Sequence, residues 1–213
     1  MRPYSAVIFD MDGVIVDSEP RHEQAFLDVF RDLGRGDTHG IHFPDYYGRS
    51  DQAVWVDFVA RHQPEQTLEE LTRLKKDRFL QLIREARPIF PGIPELVAKL
   101  AASTRLAVAS GSSHEVIEVV LGMRGLKALF PVVVSSQDVP RGKPAPDVFL
   151  RAAERLGVAP EGCVVIEDAA AGVAAARAAG MRVIGITNSL PAEKLADAHA
   201  VVSGYAEIER LLL

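Results

Sequence analysis

Ala6-Val7-Ile8-Phe9-Asp10-Met11-Asp12-Gly13 is the stretch on which the fold turns. Four apolar residues without polar alternation read as a strand buried on both faces, the condition of a parallel sheet clothed by helices. The run stops at two carboxylates one residue apart and then a glycine, which lets the backbone turn tightly. Working outward, further apolar runs rich in β-branched residues recur at Leu106 to Ala109, Val132 to Val134, Val164 to Ile166, Val183 to Ile186 and Ala200 to Val202. Helical spacing fills the gaps between the later ones: Ile93, Leu96, Val97 and Leu100, then Val116, Ile117, Val120 and Leu121, then Val148, Phe149, Ala152, Ala153 and Leu156. Strand alternating with helix implies an α/β fold, a doubly wound, Rossmann-like parallel sheet.

The first strand has no short crossover. Between Phe9 and the helix at Ile93 no apolar strand is visible, and the stretch reads as helical. Ala25, Phe26, Val29, Phe30 and Leu33 form one stripe ending at Gly34. Val54, Trp55, Phe58 and Val59 form a second, and Leu68, Leu71, Phe79, Leu82 and Ile83 one or two more. A helical cap inserted after strand one accounts for this, with a core of residues 1–17 and 89–213 and a cap of residues 18–88. The hinges are expected near Asp17 to Pro20 and Pro88 to Pro94, where proline and glycine cluster.

The chain has 213 residues, 48% hydrophobic and 25% charged, enough for a core without staples. Lys+Arg is 24 against Asp+Glu 29, a net charge of −5, so the basic excess of a nucleic-acid binder is missing. A single cysteine, Cys163, excludes internal disulfides and cysteine-based zinc sites and agrees with a reducing compartment. Charged residues interrupt the chain too often for a membrane span, and Met1 to Asp10 reaches an acid too early for a signal peptide. The expectation is a cytoplasmic protein, a monomer or weak dimer, with neither nucleic acid nor membrane as partner.

Ligands of open α/β sheets bind beyond the carboxyl ends of the strands. Four strands end here in Asp10-Met11-Asp12-Gly13, Ser110-Gly111-Ser112, Gly142-Lys143-Pro144 and Glu167-Asp168. Carboxylates, a hydroxyl and a lysine on one sheet edge are the inventory of phosphoryl transfer. A carboxylate can attack phosphorus, but its charge repels a phosphate dianion unless a cation screens it. Asp10, Glu167 and Asp168 can hold a hard cation through oxygen, and Mg²⁺ suits such a site. Lys143 would neutralise a further phosphate oxygen. Ser110 and the amide of Gly111 stand ahead of a helix, whose unpaired N–H groups favour an anion. Asp12 is near enough to protonate a leaving oxygen and later deprotonate a water. Taken singly, Lys143 reads as a solvated loop lysine and Glu167-Asp168 as acids at a helix start; their joint placement at strand ends outweighs that.

Four motifs in order resemble the haloacid dehalogenase superfamily of phosphatases and phosphomutases: Phe9-Asp10-Met11-Asp12-Gly13-Val14, Ala109-Ser110-Gly111-Ser112, Gly142-Lys143-Pro144-Ala145-Pro146-Asp147 and Val165-Ile166-Glu167-Asp168-Ala169. The resemblance spans essentially the whole chain. It implies Asp10 as nucleophile, Asp12 as general acid and base, Ser110 and Lys143 as phosphate ligands, and Mg²⁺ on Asp10, the Asp12 carbonyl and Asp168 with Glu167 nearby. An aspartate at position 12 looks like the phosphatase and mutase branch. The helical insertion is similar to the small cap of the subgroup containing β-phosphoglucomutase and sugar-phosphate phosphatases. The implied substrate is a small phosphorylated metabolite, a sugar phosphate above all.

Three residues of the insertion are candidate substrate contacts. His22 matches a hinge histidine of the mutase, and Lys75 falls where the mutase carries a cap lysine, although Lys75-Lys76-Asp77-Arg78 by itself reads as a solvated charged helix face. Arg49 could fork onto a second phosphate, but the mutase pattern places its arginine after the serine, and here Arg49 precedes Ser50. His39 and His42 make a weak metal pair without a third ligand, and Trp55 reads as cap core. The leading expectation is a Mg²⁺-dependent phosphomonoester hydrolase acting through aspartyl phosphate on Asp10. The runner-up is a β-phosphoglucomutase converting glucose 1-phosphate to glucose 6-phosphate. From another class, a phospho-accepting receiver-like signalling module shares the acids, Mg²⁺ and lysine; the cap and Asp12 argue against it.

Overall fold

The computed structural model describes residues 4–46 and 51–213. The chain forms two compact units: one runs to Asp17 and resumes at Pro88, and the other is Ser18–Arg87.

The first unit is built on six strands: β1 (Ala6–Phe9), β2 (Arg105–Ser110), β3 (Val132–Ser135), β4 (Cys163–Glu167), β5 (Arg182–Ile186) and β6 (Ala200–Val202). Their order is β3-β2-β1-β4-β5-β6, and each neighbouring pair is parallel. The strands interleave with α4 (Ile93–Ala101), α5 (His114–Leu121), α6 (Asp147–Leu156), α7 (Ala170–Ala178) and α8 (Tyr205–Leu212). The doubly wound sheet expected from the apolar runs is thus what forms, and each run is a strand, longer by a residue or two where a polar end joins the ladder.

Alternation along β1 divides the core. Ala6 and Ile8 join Ala107, Ala109 and Val165 under α6 and α7, where Val148, Phe149, Ala152, Ala153 and Leu156 form a continuous buried stripe. Truncating Phe149, fully buried at its centre, would remove roughly 3–5 kcal/mol of packing. Opposite, the ring of Phe9 meets Phe130 edge-on at 5.6 Å. Because β1 is central and buried on both faces, its carboxyl end is fixed by ladders on both sides. Asp10 follows directly, and its N–H still donates to the Ile166 carbonyl at 3.0 Å.

The second unit contains α1 (Glu19–Asp32), α2 (Asp51–His62) and α3 (Leu68–Ala86). Phe26, Val29, Phe30, Val54, Trp55, Phe58 and Leu71 form its core, so Trp55 is a core residue as expected. The third stripe proves to be a single helix, opened by a capping box in which the Thr67 hydroxyl accepts from the Glu70 N–H and the Glu70 carboxylate accepts from the Thr67 N–H. Its buried face is Leu71, Lys75, Phe79, Leu80 and Ile83, while Leu68 is exposed. This corrects the solvated-face reading of Lys75, which is only 2% exposed. The physical reason is periodicity: position 75 lies four residues from Leu71 and from Phe79, on the inward stripe whatever its charge. Among the described residues His39 and His42 have separate partners: His39 Nδ1 accepts from the Ile41 N–H, and His42 pairs with Asp45.

Candidate active site

Parallel register brings the strand ends together. Phe9 is level with Ile166, so Asp10 and Glu167, one residue on, are neighbours on the face covered by α6 and α7. Lys143 stands in the loop leading into α6 and reaches the same face, with Nζ 5.0 Å from the centre of the Phe149 ring. It lies 2.8 Å from Asp10 Oδ1 and 2.6 Å from Glu167 Oε1. The other Glu167 oxygen accepts from the N–H groups of Asp168 and Ala169, at 2.8 Å each. Asp10, Glu167 and Asp168 are all buried, each offering an oxygen within 4.8 Å of the others, and among the described residues they are the one cluster of this kind.

Charge in this cluster does not balance. Three carboxylates face one ammonium. Burial, together with Glu167, Asp168 and Asp12, raises the Asp10 pKa well above the ordinary carboxylate value despite the Lys143 charge. Burial and Glu167 push Asp168 up to about 7. Burial by itself would lower Lys143, but Asp10 and Glu167 outweigh it and hold the ammonium charged. Asp10 Oδ1 also lacks a well-aligned hydrogen bond. A buried, all-oxygen site with surplus negative charge and an under-used carboxylate oxygen fits a hard divalent cation.

Asp12 joins this edge through β2. Its Oδ2 accepts from the Ser112 hydroxyl at 2.7 Å and, at a long 3.4 Å, from the Ser110 hydroxyl. Ser110 is fully buried, and its Oγ also accepts from the Ser112 N–H. The Ser135 hydroxyl at the end of β3 donates to the Ser112 carbonyl at 2.7 Å, tying the loop down. Gly111 is exposed with open space about its α-carbon. Gly13 takes φ +72°, and a Cβ there would lie 1.8 Å from Asp168 Oδ2, so both conformation and contact require glycine.

The structure therefore brings together Asp10, Asp12, Ser110, Lys143, Glu167 and Asp168. In the Ser18–Arg87 unit it joins His22 to Lys75. Lys75 Nζ donates to His22 Nδ1 and, at 2.6 Å, to Asp51 Oδ2, and the His22 ring stacks on Phe79 at 4.0 Å. Arg49 lies outside the described residues. Sequence reasoning passed over Ser112 as a partner of Asp12, Asp51 as the partner of Lys75, and the fifth strand end. After β5, the Asn188 amide bonds the Gly13 carbonyl and the Ser189 hydroxyl bonds Asp168. Applying the strand-end rule once more would have reached Thr187-Asn188-Ser189. Nothing local marks Tyr205, whose hydroxyl donates to the Val14 carbonyl.

Comparison with known proteins agrees with this geometry. A family model described as haloacid dehalogenase-like hydrolase matches residues 4–180. Hexitol phosphatase B of Escherichia coli K12 is 37% identical over 185 residues, 86% of this chain and 83% of that protein. The phosphorylated carbohydrates phosphatase of Thermotoga maritima is 34% identical over 195 residues, 87% of this chain and 86% of that protein. Among solved structures, a mutant of CbbY from Rhodobacter sphaeroides in complex with xylulose-(1,5)bisphosphate superposes with a TM-score of 0.81 at 28% identity, covering 97% of this chain and 96% of that one. With the family match extending over most of its length and the four strand ends converging on one edge, the chain belongs to the haloacid dehalogenase-like hydrolases, as a phosphatase-type enzyme.

Proposed function

We propose that this enzyme hydrolyses phosphate monoesters of small carbohydrates with Mg²⁺, through an aspartyl phosphate on Asp10. The observation that carries the reading is the buried group of Asp10, Glu167 and Asp168 around one lysine, with Asp12 held beside it by Ser112. Asp10, Asp168 and the Asp12 carbonyl would hold the cation, with Glu167 behind them. When bound, Mg²⁺ supplies positive charge that keeps Asp10 ionised and screens the substrate phosphate.

The remaining work falls to the protein. A carboxylate oxygen of Asp10 attacks phosphorus, the bond to the sugar oxygen breaks, and Asp12 gives that oxygen its proton. Lys143, Ser110 and the Gly111 amide bind the phosphate oxygens as their charge redistributes. Asp12, now a carboxylate, takes a proton from water as it attacks the aspartyl phosphate, releasing orthophosphate and restoring Asp10. The Ser18–Arg87 unit serves as a cap that shields the reaction from bulk water, with His22, Lys75 and Arg49 as its substrate contacts. The phosphatases and the sugar bisphosphate named among the relatives support a phosphorylated carbohydrate as substrate class.

A second reading, a β-phosphoglucomutase, is favoured by one feature. Lys75 is a buried ammonium braced by Asp51 and His22, a placement suited to a second charged group on the substrate. The deciding experiment is Mg²⁺-dependent phosphate release from hexitol phosphates, hexose phosphates and β-glucose 1-phosphate, with a coupled glucose 6-phosphate readout. Release that disappears in chelator and in Asp10→Asn is expected. Glucose 6-phosphate appearing with little free phosphate would establish the mutase instead, and stable phosphorylation without turnover would sink both.

A further inference from the structure

Two side chains from the carboxyl-terminal part of the chain grip the turn that carries Asp12. Asn188 Nδ2 donates to the Gly13 carbonyl at 2.8 Å and to the Tyr205 hydroxyl at 2.8 Å. The Tyr205 hydroxyl donates to the Val14 carbonyl, again at 2.8 Å. Every direction in this chain of bonds is forced. The two carbonyls only accept, so the phenol gives its one proton to Val14 and accepts from the amide, whose two N–H groups are then both used. Each member is itself anchored. The Thr187 N–H donates to the Val202 carbonyl at 3.0 Å, tying the Asn188 loop to β6, and the Tyr205 ring lies 6.1 Å from that of Phe90.

The turn has need of such a grip. Gly13 sits at φ +72°, and a glycine confers little stiffness of its own. Its N–H donates to the Val16 carbonyl at 2.9 Å. In a planar trans peptide the carbonyl points opposite to the N–H, so that bond also sets the direction of the Asp12 carbonyl. Asn188 fixes the next peptide and Tyr205 the one after. Of the three successive peptides following Asp12, the first is thus held within the loop by Val16, and the next two are held from outside it by Asn188 and Tyr205.

We propose that Asn188 and Tyr205 are positioning residues, which hold the Asp12-Gly13-Val14 backbone in the geometry that Asp12 needs for proton transfer and its carbonyl for the cation. This rests on the roles proposed above for Asp10 and Asp12. Neither side chain takes part in bond making, so their loss lowers turnover and leaves substrate binding alone.

The test compares Tyr205→Phe, which keeps the ring, and Asn188→Leu, which keeps the bulk, with the wild-type full chain. Two readouts are taken: hydrogen exchange of the peptide spanning residues 10–16, with β2 and β4 as internal reference, and steady-state hydrolysis of p-nitrophenyl phosphate with Mg²⁺. Expected are faster exchange confined to residues 10–16, kcat lower by about 10- to 100-fold, and KM within about twofold of wild type. Unchanged exchange in that peptide overturns the proposal, as does unchanged kcat. General loosening of the sheet with kcat per folded molecule intact would show a merely structural role and overturn it too. Were the wild type inactive on p-nitrophenyl phosphate and on the carbohydrate phosphates named above, the proposed function would fail, while the exchange measurement would still decide whether the brace holds the turn.

Discussion

A Cβ added to Gly172 would lie 1.7 Å from Glu167 Oε1, although Gly172 sits inside a helix, where alanine is the better residue by about 1 kcal/mol. The contact wins, because the Glu167 carboxylate cannot give way: Lys143 holds one oxygen and two backbone amides hold the other. Gly172→Ala is therefore expected to destabilise by about 1–3 kcal/mol despite its better helix propensity, as overpacking does. It should also raise the Mg²⁺ concentration for half-maximal phosphate release, and a titration of activity with Mg²⁺ beside a thermal melt checks both. In sequence, Gly172 is one small residue in the alanine-rich run from Ala169 to Ala179 and carries no signal. Asp10, Asp12, Glu167 and Asp168 were legible, because each closes or follows an apolar run and so announces itself at a sheet edge; Lys143, in the loop between β3 and α6, was legible only in company with them.

Helix α3 shows both what periodicity tells and what it conceals. Its start is written in Thr67-Leu68-Glu69-Glu70, and the reciprocal bonds form as the pattern implies. Thr67→Ala should cost about 1 kcal/mol of stability, with no change in kcat if the proposed substrate contacts are Lys75, about two turns further on, and His22 in α1. Denaturant titration of the variant beside steady-state kinetics tests this. What the pattern concealed was Lys75. A lysine among Lys76, Asp77 and Arg78 reads as solvated, yet Asp51 and His22 satisfy its ammonium, and its Nζ lies 4.8 Å from the Phe26 ring centre. Asp51 opens α2 and His22 lies in α1, so partners on two other helices, remote in sequence, satisfy a charge that periodicity buries on the third.

At the scale of the molecule, the surplus negative charge at the sheet edge makes stability depend on pH and metal together. Asp168 has a folded pKa of about 7, raised from 3.8, so the metal-free fold takes up a proton at this group. Its contribution to stability is complete at low pH and is lost as pH rises toward and through about 7. His39 and His199, lowered from 6.5 chiefly by burial, act oppositely and cost stability as pH falls. Bound at the acidic cluster as proposed, Mg²⁺ would compete with protons at the carboxylates and not at these histidines. The rise in Tm on adding Mg²⁺ should therefore be larger at about pH 8 than at about pH 5.5, and absent in Asp168→Asn. Calorimetry at both pH values checks this; an equal rise at each would place the metal elsewhere. The sequence by itself determined the alternation of strands and helices, the helical insertion and the carboxylates, serine and lysine at the strand ends. These are local facts, because burial on both faces shows as an unbroken apolar run and its end as a polar turn. Only the tertiary structure decided which hydroxyl holds Asp12, why Gly172 is glycine, which partners satisfy the Lys75 ammonium, and that Asn188 and Tyr205 grip a turn near the amino terminus. Each of those depends on atoms brought together by strand register and helix packing across wide separations in the chain, and no spacing rule along the sequence encodes them.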